Sequence, residues 1–366
     1  MTDQATNDAL SPWPHRWAWV LCVATFPLLW VGGLITTTDA GMAVPDWPGT
    51  YGYNLFLYPW RTWMFGPWDL LVEHGHRLFA SGVGLLTIGF VVVVFRNSRR
   101  PLLRWLAVAA LGLVIFQGVL GGLRVVLNER HLAMAHGSTG PLFFALTAAL
   151  VALTSAKHER RSSGTDQPPQ PTQNGTRWWW LLPATAYVQL LLGAAMRHVP
   201  EDASFNTFAD HIRTHLWGAL VVTLAVIATT LVAWLRPVSR SRRIVASCLL
   251  GVVLAQASLG VATWIAKYRL PAWAQQGVAA DAWEAVAGPG TINPSVAGGW
   301  TETHVVTGHS ATGSLLLALA TAHAVIATRR REFATAADPT EEADTASRNA
   351  TASRPTESPV IVANSS

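Results

Sequence analysis

Charge and cysteine are what this sequence has least of. Only 13% of the 366 residues are charged and 51% are hydrophobic, where a soluble chain carries about 25% charged residues. The deficit falls in long apolar runs, which argues against a water-soluble core and makes lipid the expected solvent. A helix that crosses a bilayer needs roughly 20 apolar residues. Eight stretches meet that length, near 17–36, 75–95, 104–123, 134–155, 178–196, 214–235, 244–265 and 305–327. The two cysteines, Cys22 and Cys248, both fall inside these spans, so no external disulfide forms within one chain. A cleavable signal peptide is not visible either: residues 1–16 are polar, and the first apolar run is long enough to span.

What charge there is has a pattern. Arg96, Arg99, Arg100 and Arg104 lie in one connection, Lys157, Arg160, Arg161 and Arg177 in another, Arg236, Arg240, Arg242 and Arg243 in a third, and Arg329 to Arg331 after the last span. The alternate connections hold most of the acids, among them Asp39, Asp46, Asp69, Glu129, Asp210 and Glu302. Lys and Arg concentrate in cytoplasmic loops, so both termini are expected in the cytoplasm of a plasma-membrane (inner-membrane) protein. The pI of about 9.7 is then a consequence of topology and calls for no nucleic-acid partner.

The fold class expected is all-α: a polytopic membrane protein of eight helices arranged as two pseudo-repeated four-helix bundles. The repeat is visible in the fourth and eighth spans, where His131-Leu-Ala-Met-Ala-His136-Gly-Ser-Thr-Gly140 matches His304-Val-Val-Thr-Gly-His309-Ser-Ala-Thr-Gly313. Gln-x-x-x-Gly recurs near the outer ends of the third, fifth and seventh spans, as Gln117 to Gly121, Gln189 to Gly193 and Gln256 to Gly260, and the first span has a looser Trp30-Val-Gly-Gly33. Both halves begin on the same side, which implies a parallel repeat about an axis along the membrane normal. The expected organisation is a cytoplasmic tail (1–16), an N-terminal half (17–157), a linker (158–177), a C-terminal half (178–328) and a disordered tail (329–366). The connections at 37–73 and 266–303 far exceed the usual two to eight residues between helices and are expected to lid an outward-facing cavity.

Four of the twelve histidines stand at equivalent places. His76, His136, His215 and His309 lie near the outer ends of the even spans, each followed one turn later by a small residue, Ala80, Gly140, Ala219 or Gly313. A flat macrocycle beside an imidazole needs such a gap. A lone histidine near an interface is ordinarily a packing or surface residue, but four in register are harder to explain that way, because polar groups within membrane spans are costly and mark sites. Bundle cores hold cofactors between facing helices, and a histidine pair suits haem iron. A zinc site fits less well without cysteine ligands. His15, His158 and His198 are assigned to tails or loops. His74 points to another face than His76. His131, His304 and His211 are expected around the cavity, and His323 has no partner at its depth.

Glu73-His-Gly-His76-Arg77, opening the second span, resembles the Glu-x-x-His-Arg motif of haem A synthases. Gly41-Met-Ala-Val-Pro-Asp46-Trp47 is similar to the first outer loop of that family, and the likeness extends over 17–327. The resemblance implies an oxidoreductase that converts haem O to haem A by oxidising the C8 methyl to a formyl group for cytochrome oxidase assembly. It implies a haem b cofactor on His215 and His309, a substrate haem on His76 and His136 with Arg77 beside them, and Glu73 as the catalytic carboxylate. Haem O synthase and an electron acceptor are the protein partners it suggests. Many bacterial members carry a cysteine pair in the first outer loop, which this chain lacks. The position three before the histidine is Glu73 in the second span but Ala133, Ile212 and Val306 in the others. That asymmetry fits one reactive and one holding site. The alternatives are a non-enzymatic b-type cytochrome and a haem transporter or chaperone.

Overall fold

A computed structural model describes residues 11–162, 178–199, 204–268 and 299–335. It is built from helices: α1 (Trp13–Thr37), a short α2 (Trp60–Met64), α3 (Trp68–Asn97), α4 (Pro101–Val126), α5 (Arg130–Ser162), α6 (Leu181–Arg197), α7 (Phe205–Leu235), α8 (Arg240–Tyr268) and α9 (Trp300–Thr335). All but α2 are long and apolar enough to cross a membrane. Proline sets several starts, with Pro12 and Pro67 at N-caps and Pro101 in the first turn, where a missing N–H costs nothing. At the start of α7 the Ser204 hydroxyl takes that role, accepting from the Thr207 N–H at 3.2 Å. Within the spans, hydroxyls bond the carbonyl one turn back, as Thr25 to Leu21 and Thr87 to Val83 do, so they add no unsatisfied donor to an apolar layer.

Burial ranks the helices. Of the most apolar window of each span, 67% is buried in α5 and 50% in α9, against 17–28% in the other six. The two central helices pack on each other; α1 and α4 flank α5 with α3 seated across them, and α6 and α8 flank α9 with α7 seated across them. The outer helices turn large apolar side chains outward, among them Leu85, Trp105, Leu216 and Leu254. The core beside α5 is filled by Leu21, Val83, Phe90, Phe143 and Leu150, and that beside α9 by Val222, Val226, Leu249 and Leu316. α1 also reaches α9 directly: a Cβ on Gly33 would lie 3.1 Å from the Thr307 methyl, so a small residue there lets the backbones approach.

The helices run beyond the apolar stretches, most at the histidine end. α3 starts at Trp68, α7 at Phe205 and α9 at Trp300, because polar first turns continue the helical backbone past the edge of the hydrophobic run. Two assignments change as a result, since His158 falls within α5 and not in a loop. His15 lies in the first turns of α1, not in a tail, with Nδ1 3.0 Å from Thr154 Oγ1 and Nε2 accepting from the Trp19 indole.

Residues 38–67 form an ordered loop. The Asp46 carboxylate accepts from the N–H groups of Tyr51 and Gly52 at 2.7 and 2.9 Å, and Thr50 pairs with Tyr53 in an isolated bridge. Most of the second long connection, the linker after Ser162 and the tail after Thr335 lie outside the described residues.

Candidate functional site

Four helical hairpins, α1/α3, α4/α5, α6/α7 and α8/α9, each set a histidine of the second helix against a glycine of the first. A Cβ built on Gly32 would lie 3.1 Å from His76 Cε1; the same distance is 3.0 Å for Gly121 and His136, 3.2 Å for Gly193 and His215, and 3.1 Å for Gly260 and His309. An alanine at any of these places pushes on an imidazole. Three of these glycines close the Gln-x-x-x-Gly repeat, and Gly32 stands in the looser version in α1. The recurring motif therefore has a physical reason: it is the wall behind each ring. The small residues one turn after the histidines have other neighbours, since a Cβ on Gly140 would meet Leu29 and one on Gly313 would meet the Gln256 amide.

Two of the four histidines meet ring to ring. The His215 and His309 rings have centroids 6.3 Å apart with planes at 71°. Two imidazoles on opposite sides of one metal ion, with bonds of about 2.0–2.1 Å and roughly 1.2 Å from ring centre to nitrogen, span about 6.3–6.6 Å. The spacing fits a shared iron. His76 and His136 are both half-buried and close enough to interact electrostatically. Among the described residues no three His, Cys, Asp or Glu side chains converge as a metal-ion site.

The rings are held unequally. His136 Nδ1 lies 3.2 Å from the Gln117 carbonyl and His309 Nδ1 3.2 Å from the Gln256 carbonyl. A carbonyl there can accept from Nδ1–H, the tautomer that leaves the Nε2 lone pair free. The same glutamines bond across their hairpins through their side chains, Gln117 with Thr139 and Gln256 with Thr312. In α6/α7 the Gln189 amide donates to the His215 carbonyl at 2.9 Å and also lies beside the ring. His76 has no such support: its Nδ1 is buried without a hydrogen-bond partner. Leu28 and Phe79 stand where α4/α5 and α8/α9 have glutamine and threonine, and where α6/α7 has Gln189 and Gly218.

Glu73 and Arg77 tie the first loop to α3. Glu73 is 1% exposed; one carboxylate oxygen accepts from the Val44 N–H at 2.9 Å and the other meets Arg77 at 2.7 Å. Arg77 also donates to the carbonyls of Val44, Asp46 and Gly49, at 2.8, 2.7 and 3.1 Å. This is more than an exposed i,i+4 ion pair, because burial removes the competing water. His74, fully buried, meets Thr50 Oγ1 at 3.0 Å through Nδ1 and lies between the Tyr58 and Trp63 rings. Trp47 seats on Gly122 of α4, where a Cβ would overlap its ring. The loop therefore closes over the histidine end of α3 and α4.

Two arginines join the site that charge patterning had left among the loop residues. Arg124 reaches Gly41 of the loop and acts electrostatically on His76, His136 and Glu73. Arg197, at the end of α6, donates to Ser310 Oγ at 3.1 Å and Thr37 Oγ1 at 2.5 Å, and so links α9 to α1. No sequence signal separates them from other basic residues near helix ends; only packing turns them inward. The remaining histidines stand apart. His131 and His304 are exposed, the latter stacked on Trp300. His211 bonds its own helix at Thr207, and His198 caps α6 through the Ala194 carbonyl. His323 lies buried at the opposite end of α9, edge-on to Trp179 and 3.4 Å from Arg242 Nε.

Residues 67–213 match the COX15-CtaA family of cytochrome oxidase assembly proteins. The chain is 26% identical to a haem A synthase of Shouchella clausii over 63% of its own length and 80% of that protein. It is 31% identical to a haem A synthase of Symbiobacterium thermophilum over 48% of this chain and 56% of the relative. A haem A synthase of Shewanella oneidensis is 27% identical, over 40% of this chain and 46% of the relative. The chain thus spans about half the length of the last two.

Proposed function

We propose, for a chain whose similarities and eight-helix fold support the haem A synthase family, that it oxidises the C8 methyl of haem O to the formyl group of haem A. The observation that carries this reading is that four histidines are backed by glycine in the same way and only His76 has a carboxylate three positions before it, Glu73. His215 and His309 are assigned to a resident haem b, and His76 and His136 to the substrate haem. The resident haem supplies electron transfer when bound.

The chain's own residues do the rest. Gly193 and Gly260 keep the rings of the C-terminal pair in place, and the Gln256 carbonyl holds a proton on His309 Nδ1, leaving Nε2 to bind. In the N-terminal pair Gly32 and Gly121 do the same steric work. Arg124 offers a half-buried cation near both rings, suited to a porphyrin carboxylate. Arg77, whose two terminal nitrogens bond Glu73 and three loop carbonyls, shapes the lid over the substrate. Glu73 brings a buried negative charge to this end of α3. Beside a substrate it accepts a proton or stabilises positive charge that develops as the methyl carbon is oxidised. The loop over α3 and α4 excludes water from that event.

Two parallel four-helix halves, cytoplasmic termini and a plasma-membrane location complete the proposal. In its support, the basic turns at 96–104 and 236–243 lie at the end of the bundle away from the four histidines. Reporter fusions after Arg100 and Arg243 should report cytoplasm, and a fusion within 45–65 the outside. A reversed pair would overturn the topology. Haem O synthase and an electron acceptor are the partners proposed.

The functional test is expression in cells that make haem O but lack haem A. Haem A should accumulate. If none forms while the protein carries haem, the chain is a b-type cytochrome or haem carrier. That second reading is favoured by one observation: both oxygens of Glu73 are already engaged by Val44 and Arg77.

A further inference from the structure

We propose that the two ligands of the N-terminal haem are unequal: His136 is the permanent one, and His76 is exchangeable and is released as the haem enters or leaves. The inference rests on the assignment of this pair to the substrate haem and adds the direction of exchange.

Three observations carry it. The first is the hydrogen bond on the far side of each ring. Donation from Nδ1–H to a carbonyl fixes the tautomer and orientation of an imidazole and makes Nε2 a stronger base, so loss of such a partner weakens metal binding. His136 has the Gln117 carbonyl at 3.2 Å, whereas His76 Nδ1 is buried with no partner. The second is the latch between helices. Gln117 and Thr139 bond across α4/α5, as Gln256 and Thr312 do across α8/α9; α1/α3 has Leu28 and Phe79 at those places, which pack but impose no direction. His136 therefore resembles His309 of the C-terminal pair in its support, and His76 resembles none of the other three. The third is the lid. Arg77, adjacent to His76, holds the loop carbonyls of Val44, Asp46 and Gly49. Loop opening frees the turn of α3 that carries His76, while His136 on α5 keeps its own anchor. A substrate haem must depart after each turnover, and a site with one firm and one loose ligand permits that without losing register.

The exchange itself involves no oxidation or reduction. The Nε2 lone pair of His76 leaves ferrous iron and the carbon of carbon monoxide takes its place. The test uses the full-length protein purified from cells that supply haem, reduced and exposed to carbon monoxide, with haem counted per chain. The wild type should hold two haems, one of which binds carbon monoxide. His76→Ala should keep both haems, with one five-coordinate and high-spin. His136→Ala should keep only the C-terminal haem. That C-terminal haem spectrum serves in every variant as the check of folding. Leu28→Gln combined with Phe79→Thr, which installs the missing latch, should slow carbon monoxide binding by about tenfold, the scale on which such supporting bonds act. Loss of the N-terminal haem in His76→Ala with retention in His136→Ala overturns the proposal, as does equal behaviour of the two. One haem per chain in the wild type, unchanged by either substitution, overturns the assignment of the N-terminal pair itself.

Discussion

The two halves of this protein place their histidines alike and surround them differently. In both, a ring on the second helix of a hairpin rests against a glycine of the first, at 3.0–3.2 Å from where a Cβ would be. Around the C-terminal pair, the positions three before the histidines are Ile212 and Val306, and the acid closest in sequence at the start of α9, Glu302, is turned to Lys267 at 3.0 Å. Around the N-terminal pair stand Glu73, Arg77 and Arg124 under an ordered loop. A histidine-on-glycine geometry is thus repeated while charge gathers around one copy, because the histidines belong to the hairpin and the charges to the lid and helix ends.

Substitutions of the ligands bear hardest on that comparison. His309→Ala should abolish the reduced haem b spectrum of the C-terminal half while membrane insertion persists; an unchanged spectrum would remove the assignment. Glycine walls come next. Gly260→Leu should eliminate C-terminal haem as fully as His309→Ala, whereas Gly260→Ala, which asks the ring to give by a few tenths of an ångström, should retain haem with an altered low-spin resonance spectrum. Equal effects of Gly260→Leu and of leucine at Gly251, where a Cβ has open space, would show that the wall is not specific.

Glu73→Gln tests the difference between the halves. The amide keeps the size and one acceptor but loses the charge, so haem A formation should fall by at least about a hundredfold, the low end of a general acid–base contribution. The C-terminal haem b should stay, and haem O or a partly oxidised haem should accumulate. Product at the wild-type rate would reduce Glu73 to a loop anchor.

The smallest effect is expected at Asp46 in the loop. Desolvation pushes its carboxyl up, but the N–H donors of Gly52 and Tyr51 and the charge of Arg77 outweigh it and hold the group below its ordinary value. A depressed carboxylate adds stability that is complete above the unfolded value, about 3.9, and disappears as pH falls through the lower folded one. Protease protection of residues 45–60 should therefore be constant from neutral pH to about 4 and fall only below it. Asp46→Asn should weaken protection modestly at every pH; a wild-type loop that opened between pH 5 and 7 would point to another group.

Much of the architecture is legible in the order of residues alone. Eight apolar runs form eight long helices, because a bilayer leaves an apolar segment little choice but to bond its own backbone. The four histidines and the Gln-x-x-x-Gly motif stand out as a repeat, since helical register is local. Only the tertiary structure decided what those residues meet. Gly121 backs His136, the Gln117 carbonyl orients it, Arg124 and Arg197 turn inward, and Glu73 holds Val44 from 29 positions away. Each of these depends on how one helix or loop seats against another. Hydropathy carries no information about that seating, whereas close packing of a glycine against a ring fixes it to a few tenths of an ångström.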